Sequence, residues 1–161
     1  MRNKSGFTLM EMMVVIAIIG VVSAIAIPNM VGRFQEYRVG EGARELLGVL
    51  QSSRIGAARH NNNVVVTFDP DNNGSLDNNY LSFVDSGGIK DTFDAGEAVI
   101  ARGQMPAGVT LTSVTFGGNT WVRISNRGLA SNSGTVTLTN TAGTTRRVNL
   151  FETGNSRIVI P

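Results

Sequence analysis

Cysteine is absent from the 161 residues, and histidine occurs once, at His60. The first gap excludes disulfide frameworks, thiolate metal sites and thiol catalysis; the second leaves no multi-histidine cluster for zinc. There is no Gly-x-Ser-x-Gly elbow, no Gly-rich phosphate loop and no zinc-spaced ligand set. Asp/Glu pairs fall in Gly/Asn-rich stretches that read as turns, and a lone His at a helix end reads as structural or solvated. The sequence therefore reads as a protein without enzyme activity. Charge of one sign is not in excess either, with 14 Lys+Arg against 12 Asp+Glu. Its distribution is uneven: residues 60–97 carry seven acids against Lys90 alone, and residues 98–161 carry six arginines against Glu152 alone. Such asymmetry marks candidate partner surfaces.

What the chain does have is one long apolar run. Residues 7–27 read FTLMEMMVVIAIIGVVSAIAI, with Glu11 as the single charge and Arg2 and Lys4 just before it. A helix of that length spans roughly 30 Å, enough for one hydrocarbon core. Cations on the leading side place the N-terminus in the cytoplasm and the remainder outside. A secretory signal would have a shorter core followed by a small-residue cleavage site; here Pro28-Asn29-Met30 follows. A plain signal anchor leaves Glu11 unexplained, since a carboxylate in a membrane helix costs a few kcal/mol unless it finds a partner.

The stretch Lys4-Ser5-Gly6 followed by Phe7-Thr8-Leu9-Met10-Glu11 resembles the prepilin processing site of type IV pilins and type II secretion pseudopilins. The resemblance implies cleavage by prepilin peptidase between Gly6 and Phe7, N-methylation of Phe7, and an assembly role for Phe7, Glu11 and Pro28. In the packed helices of a filament, Glu11 of one subunit would neutralise the Phe7 ammonium of another, a pairing strongly preferred to either charge alone in a low-dielectric bundle. It implies the other pilin or pseudopilin subunits and the membrane as partners, with a single-pass inner-membrane precursor, its C-terminal domain periplasmic, assembled later into a pilus or pseudopilus.

Pro28 predicts a break or kink, because it lacks the N–H and clashes with the preceding turn. Beyond it, apolar residues at Met30, Phe34, Tyr37, Val39, Ala43, Leu46, Leu47, Leu50, Ile55 and Ala58 recur every three or four positions, an amphipathic helix over 29–60. Gly40, Gly42, Gly48 and Gly56 weaken its propensity and suggest support from a packed sheet or close helix approach in a filament. Asn61-Asn62-Asn63 reads as the turn that ends it. Residues 64–68, 80–84, 98–101, 109–116, 120–124, 134–139 and 146–151 are rich in Val, Thr and Ile between turn residues and read as strands. The expected class is α+β: a long N-terminal helix, its first half transmembrane, packed on a small antiparallel sheet or sandwich. The expected organisation is a leader over 1–6, a membrane and filament-core helix over 7–28, the amphipathic helix over 29–60 and a β-rich globular domain over 61–161.

The run from Leu47 to Asn61 (LGVLQSSRIGAARHN), leading into Val64-Val65-Val66, resembles the GspH/FimT branch of pseudopilins, as does the Asp/Gly-rich stretch from Phe83 to Glu97. That branch implies a minor subunit of a type II secretion system or type IV pilus. A DNA-capturing minor pilin, a major pilin and a generic membrane-anchored binding domain stay open beside it. Two further patterns are candidate sites. Asp69, Asp71, Asn73 and Asp77, with Gly74 at the turn, place oxygens at alternate positions as a Ca²⁺ loop does, although Tyr80 stands where a bidentate Glu would be; a polar hairpin loop accounts for the same residues. Arg146, Arg147 and Arg157 could grip phosphates, and a basic C-terminal tail is a feature of some DNA-binding minor pilins of the FimT type. Trp121 could stack a base, though a lone Trp in a strand is more often core. Secreted cargo is the other candidate ligand.

Overall fold

The computed structural model describes residues 7–161 apart from Asp77, with the backbone alone at positions 28, 29, 31 and 32. One helix, α1 (Leu9–His60), is followed by eight strands. Of the break or kink expected at Pro28, the break does not occur: α1 continues across that position, as a helix can when long helical stretches flank the proline and a single ladder bond is lost. α1 ends as the asparagine run predicts. Asn61 takes φ 50°, its N–H donates to the Ala58 carbonyl, and the N–H of Asn62 donates to Ala57. That crossed pair is a Schellman motif, with asparagine in the left-handed position more often held by glycine.

The chain divides into two units, Met1–Phe34 and Gln35–Pro161. In the first, Leu9–Ile27 has a mean hydropathy of 2.5 and none of it is buried. A helix apolar on every side has no solvent face to offer water, which is the pattern of a membrane span or a bundle interior.

The second unit holds the core. Strands β1 (Asn63–Thr67), β2 (Asn79–Asp85), β3 (Val99–Gln104) and β5 (Trp121–Ile124) form one antiparallel sheet in the order β3-β2-β1-β5. Strands β4 (Val109–Phe116), β6 (Gly134–Asn140), β7 (Thr145–Leu150) and β8 (Ser156–Val159) form another in the order β4-β6-β7-β8. Both sheets turn one face to α1. Val39, Ala43, Leu46, Val49, Leu50 and Ala57 of the helix pack with Val64, Val66, Val84 and Ile124 of the first sheet and Val136, Leu138, Val148 and Leu150 of the second. Each fully buried aliphatic contributes about 1.5–3 kcal/mol relative to exposure.

The two sheets differ on their outer faces. In the first, Val65, Leu81 and Phe83 form a second apolar cluster, closed over by Phe93 and Trp121. β1, central in its sheet, is therefore buried on both sides, which is why its three valines run without alternation. In the second, side chains alternate apart from a register shift between Leu111 and Ser113 of β4, and the outward positions of β4, β6 and β7 are mostly threonines. Polar pins hold α1 against the first sheet: Ser53 Oγ lies 2.6 Å from Ser82 Oγ, and the Tyr80 hydroxyl donates to Glu45 at 2.6 Å. Two of the helix glycines have a packing reason. A Cβ at Gly42 would stand 3.2 Å from Leu138, and one at Gly56 would stand 2.9 Å from Ile100.

Candidate functional site

The start of α1 is organised by Thr8. Its Oγ1 accepts the backbone N–H of Glu11 at 3.2 Å, so Thr8 is the N-cap and Glu11 the third helical residue. A carboxylate in the first turn is also favoured by the helix dipole. Glu11 makes no ion pair among the described residues, and the apolar side chains around it are open, with Phe7 81% exposed. Gly6 lies outside the described residues. Pro28 falls within α1, in the stretch where the backbone alone is described. The arrangement is thus a lone, dipole-supported anion near the end of an uncovered apolar helix, which is chemistry for association. The Thr8-x-x-Glu11 spacing is a capping signal legible in the sequence itself.

The Asp69 loop spends its oxygens on its own backbone. Asp69 Oδ1 accepts from Asn73 N–H at 3.1 Å and Oδ2 from Gly74 N–H at 2.8 Å. Asn73 Oδ1 accepts from Ser75 N–H at 2.7 Å. Gly74 takes φ 83°, the conformation glycine adopts without strain. These are the bonds of a polar turn between β1 and β2. Asp71 is exposed, and Asp77 lies outside the described residues. Among the described residues no group of three or more His, Asp or Glu is placed to hold a metal.

The three arginines do not come together. Arg146 shares the parity of buried Val148 and Leu150 along β7 and faces α1, where its Nη2 meets Glu36 Oε1 at 3.2 Å. Arg147 lies on the opposite face. Arg157, expected in a C-terminal tail, belongs instead to β8, where it pairs with Asn149 while Arg147 pairs with Val159. Arg147 and Arg157 therefore share the threonine-lined outer face of the second sheet, and Arg157 rests over the Phe151 ring at 5.2 Å. Sequence reading missed β8 because it is four residues long and follows a Glu-Thr-Gly-Asn turn directly. Its hairpin closes through Phe151 N–H to the Asn155 carbonyl at 2.9 Å.

Trp121 packs in the cluster on the first sheet's outer face, 5.8 Å from the Arg123 guanidinium. Arg123 in turn binds both carboxylate oxygens of Asp91, so part of the acidic middle of the chain is neutralised internally. His60 is exposed at the end of α1. Among the described residues Tyr80 is the one titratable group clearly displaced: burial first, then the hydrogen bond to and charge of Glu45, hold its hydroxyl well above the ordinary tyrosine value.

Residues 1–27 match the prokaryotic N-terminal methylation motif, and residues 42–154 match the family described as type II transport protein GspH. The chain belongs to the GspH family. Members of the GspH family are structural filament subunits; this one is a minor pilin or pseudopilin of a type II secretion system or type IV pilus, and its methylation motif implies processing by prepilin peptidase and assembly with other subunits. Solved structures share the fold at low identity. The minor pseudopilin EpsH of the Vibrio cholerae type 2 secretion system aligns at 16% identity with a TM-score of 0.55, covering 77% of this chain and 98% of that one. The type IV minor pilin FimU of Pseudomonas aeruginosa aligns at 13% identity with a TM-score of 0.55, covering 74% of this chain and 91% of that one. Among curated proteins none matches the sequence. The GspH match starts at residue 42 and the methylation motif ends at 27, so together they take in both the apolar span and the β-rich unit.

Proposed function

We propose that this GspH-family chain is a prepilin cut between Gly6 and Phe7 and methylated on the Phe7 amine. It is held by residues 7–28 in the inner membrane, with residues 61–161 on the periplasmic side, until it is drawn into a filament. The observation that carries the reading is Glu11, a single acid in the Thr8-capped first turn of an apolar segment, Leu9–Ile27, of which nothing is buried. The new ammonium on Phe7 would sit just before the N-cap, where the helix dipole disfavours a cation. Glu11 of an adjacent subunit supplies the missing anion, and the stagger that pairs the two charges sets the register. The globular unit then makes lateral contacts with neighbours or cargo.

Replacing Glu11 with Gln keeps size and polarity and removes the charge. Glu11→Gln is expected to insert and be cleaved normally while its recovery in sheared or pulled-down filaments falls at least tenfold, on the scale of an ion pair left half made in a low-dielectric bundle. Wild-type incorporation of Glu11→Gln contradicts the pairing. A second reading, DNA capture by the pilus, rests on one observation: Arg147 and Arg157 share an outer sheet face whose other strand positions are threonine, asparagine, serine and valine.

A further inference from the structure

A groove of about 630 Å³ lies along the C-terminal turns of α1, outside the assembly segment. One wall is helix: Arg54, Ile55 and Ala58. The other is made of two turns, Asn126 to Gly128 after β5 and Gly154-Asn155 leading into Ser156, the first residue of β8. The turns interlock. Gly154 takes φ 76°, and a Cβ there would stand 1.9 Å from the Gly128 carbonyl oxygen; backbone cannot yield as a side-chain tip does, so position 154 admits glycine alone. The Arg54 side chain lies against both turns. A Cβ at Gly128 would stand 2.7 Å from its Nε, and its Nη1 donates to Asn155 Oδ1 at 3.0 Å. Asn126 is tied to the helix end through Asn61 at 2.9 Å. The groove is therefore built before any ligand arrives, which spares a ligand the cost of ordering it.

Its chemistry is one-sided. Arg54 and Arg127 line it and, among the described residues, no carboxylate does. Arg127 is exposed and has no hydrogen bond or ion pair among the described residues. Glu152, the one acid at this end of the chain, is exposed and not among the lining residues. Ile55 lines the same groove and is 68% exposed although it is on the helix that supplies the core. Two arginines and an uncovered aliphatic side chain in one groove match a peptide that offers carboxylates together with an aliphatic residue, because a guanidinium can hold a carboxylate by paired bonds while the aliphatic side chain covers Ile55.

We propose that this groove receives an acidic peptide segment carrying an aliphatic residue, presented by a different protein. The assignment goes beyond the assembly role of Glu11 and does not depend on it. The test uses the full chain in detergent micelles and a fluorescently labelled peptide, Gly-Asp-Ile-Asp-Ile-Glu-Gly, read by anisotropy against its Asn/Gln counterpart. The acidic peptide is expected to bind saturably and the amide peptide at least roughly fivefold more weakly, the scale of one partly exposed ion pair. Arg127→Glu and, separately, Ile55→Ser should each weaken the acidic peptide by about that factor at an unchanged melting midpoint, while Arg147→Glu on the outer sheet face leaves it unchanged. Equal binding of both peptides, no saturation, or an equal loss in Arg147→Glu overturns the proposal. Two other occupants would also replace it. Duplex DNA that displaces the peptide and needs Arg127 makes the groove a polyanion site, and self-association of the wild-type chain abolished by Arg127→Glu makes it a contact between copies.

Discussion

Tyr80 reaches from β2 to Glu45 on α1, over the bare backbone of Gly103, where a Cβ would stand 2.2 Å from its hydroxyl. Burial and the neighbouring carboxylate raise its pKa above the ordinary value near 10. A raised folded value means that the unfolded chain releases the proton first. The stability it supplies is present below about pH 10 and is lost as pH rises toward the folded value. The melting midpoint should therefore fall above about pH 10, and Tyr80→Phe should flatten that fall while lowering stability at neutral pH by about 1–3 kcal/mol, as a bond to a charged group is lost. A midpoint with the same alkaline slope in Tyr80→Phe would put the titration elsewhere. This pin was not legible in sequence: Tyr80 reads as one more strand aromatic, and Glu45 as a residue on the wet side of the helix. Asp69 was half legible. Its neighbours announced a turn, but only the fold gives both of its oxygens to backbone N–H groups. Calcium added in excess, or chelator in its place, should accordingly leave the melting midpoint unchanged; a rise with calcium would mean that the ion displaces those bonds.

Elements were legible where one period held for long enough. Apolar residues and threonines alternate along β6 and most of β4, and β4, β6 and β7 lie within a residue or so of the expected bounds. β8 was hidden, since four residues beside a turn carry too little pattern and its pairing with β7 is a tertiary fact. That omission changed the meaning of three arginines. Strand parity sends Arg146 to Glu36 on α1 and turns Arg147 outward beside Arg157. If the outer face of the second sheet does touch DNA, Arg147→Ala and Arg157→Ala should each weaken gel retardation at low salt and reduce its salt slope by about one, whereas Arg146→Ala leaves it unchanged. An effect of Arg146→Ala equal to the other two would contradict this division of the faces. Pro28 signals a break or a kink, and the helical stretches on both sides carry the element past it without a break.

At the scale of the whole molecule, the apolar span, its lone acid and the Gly-Phe junction were readable directly, because membrane solvation and peptide chemistry act on contiguous sequence. The charge asymmetry was visible but not its use. Part of the acidic middle is neutralised by Arg123, while the basic end is divided among the helix, a sheet face and a groove. The groove depends on two turns far apart in sequence from Arg54, so no local pattern could announce it. The claim on which the functional account stands is processing at the Gly6–Phe7 bond, and the most direct measurement is the mature N-terminus, by intact mass and terminal peptide sequencing of the protein purified from membranes. The account predicts a chain beginning at Phe7 and heavier by one methyl group on its amine. A chain still beginning at Met1, in cells with an active prepilin peptidase, would contradict it.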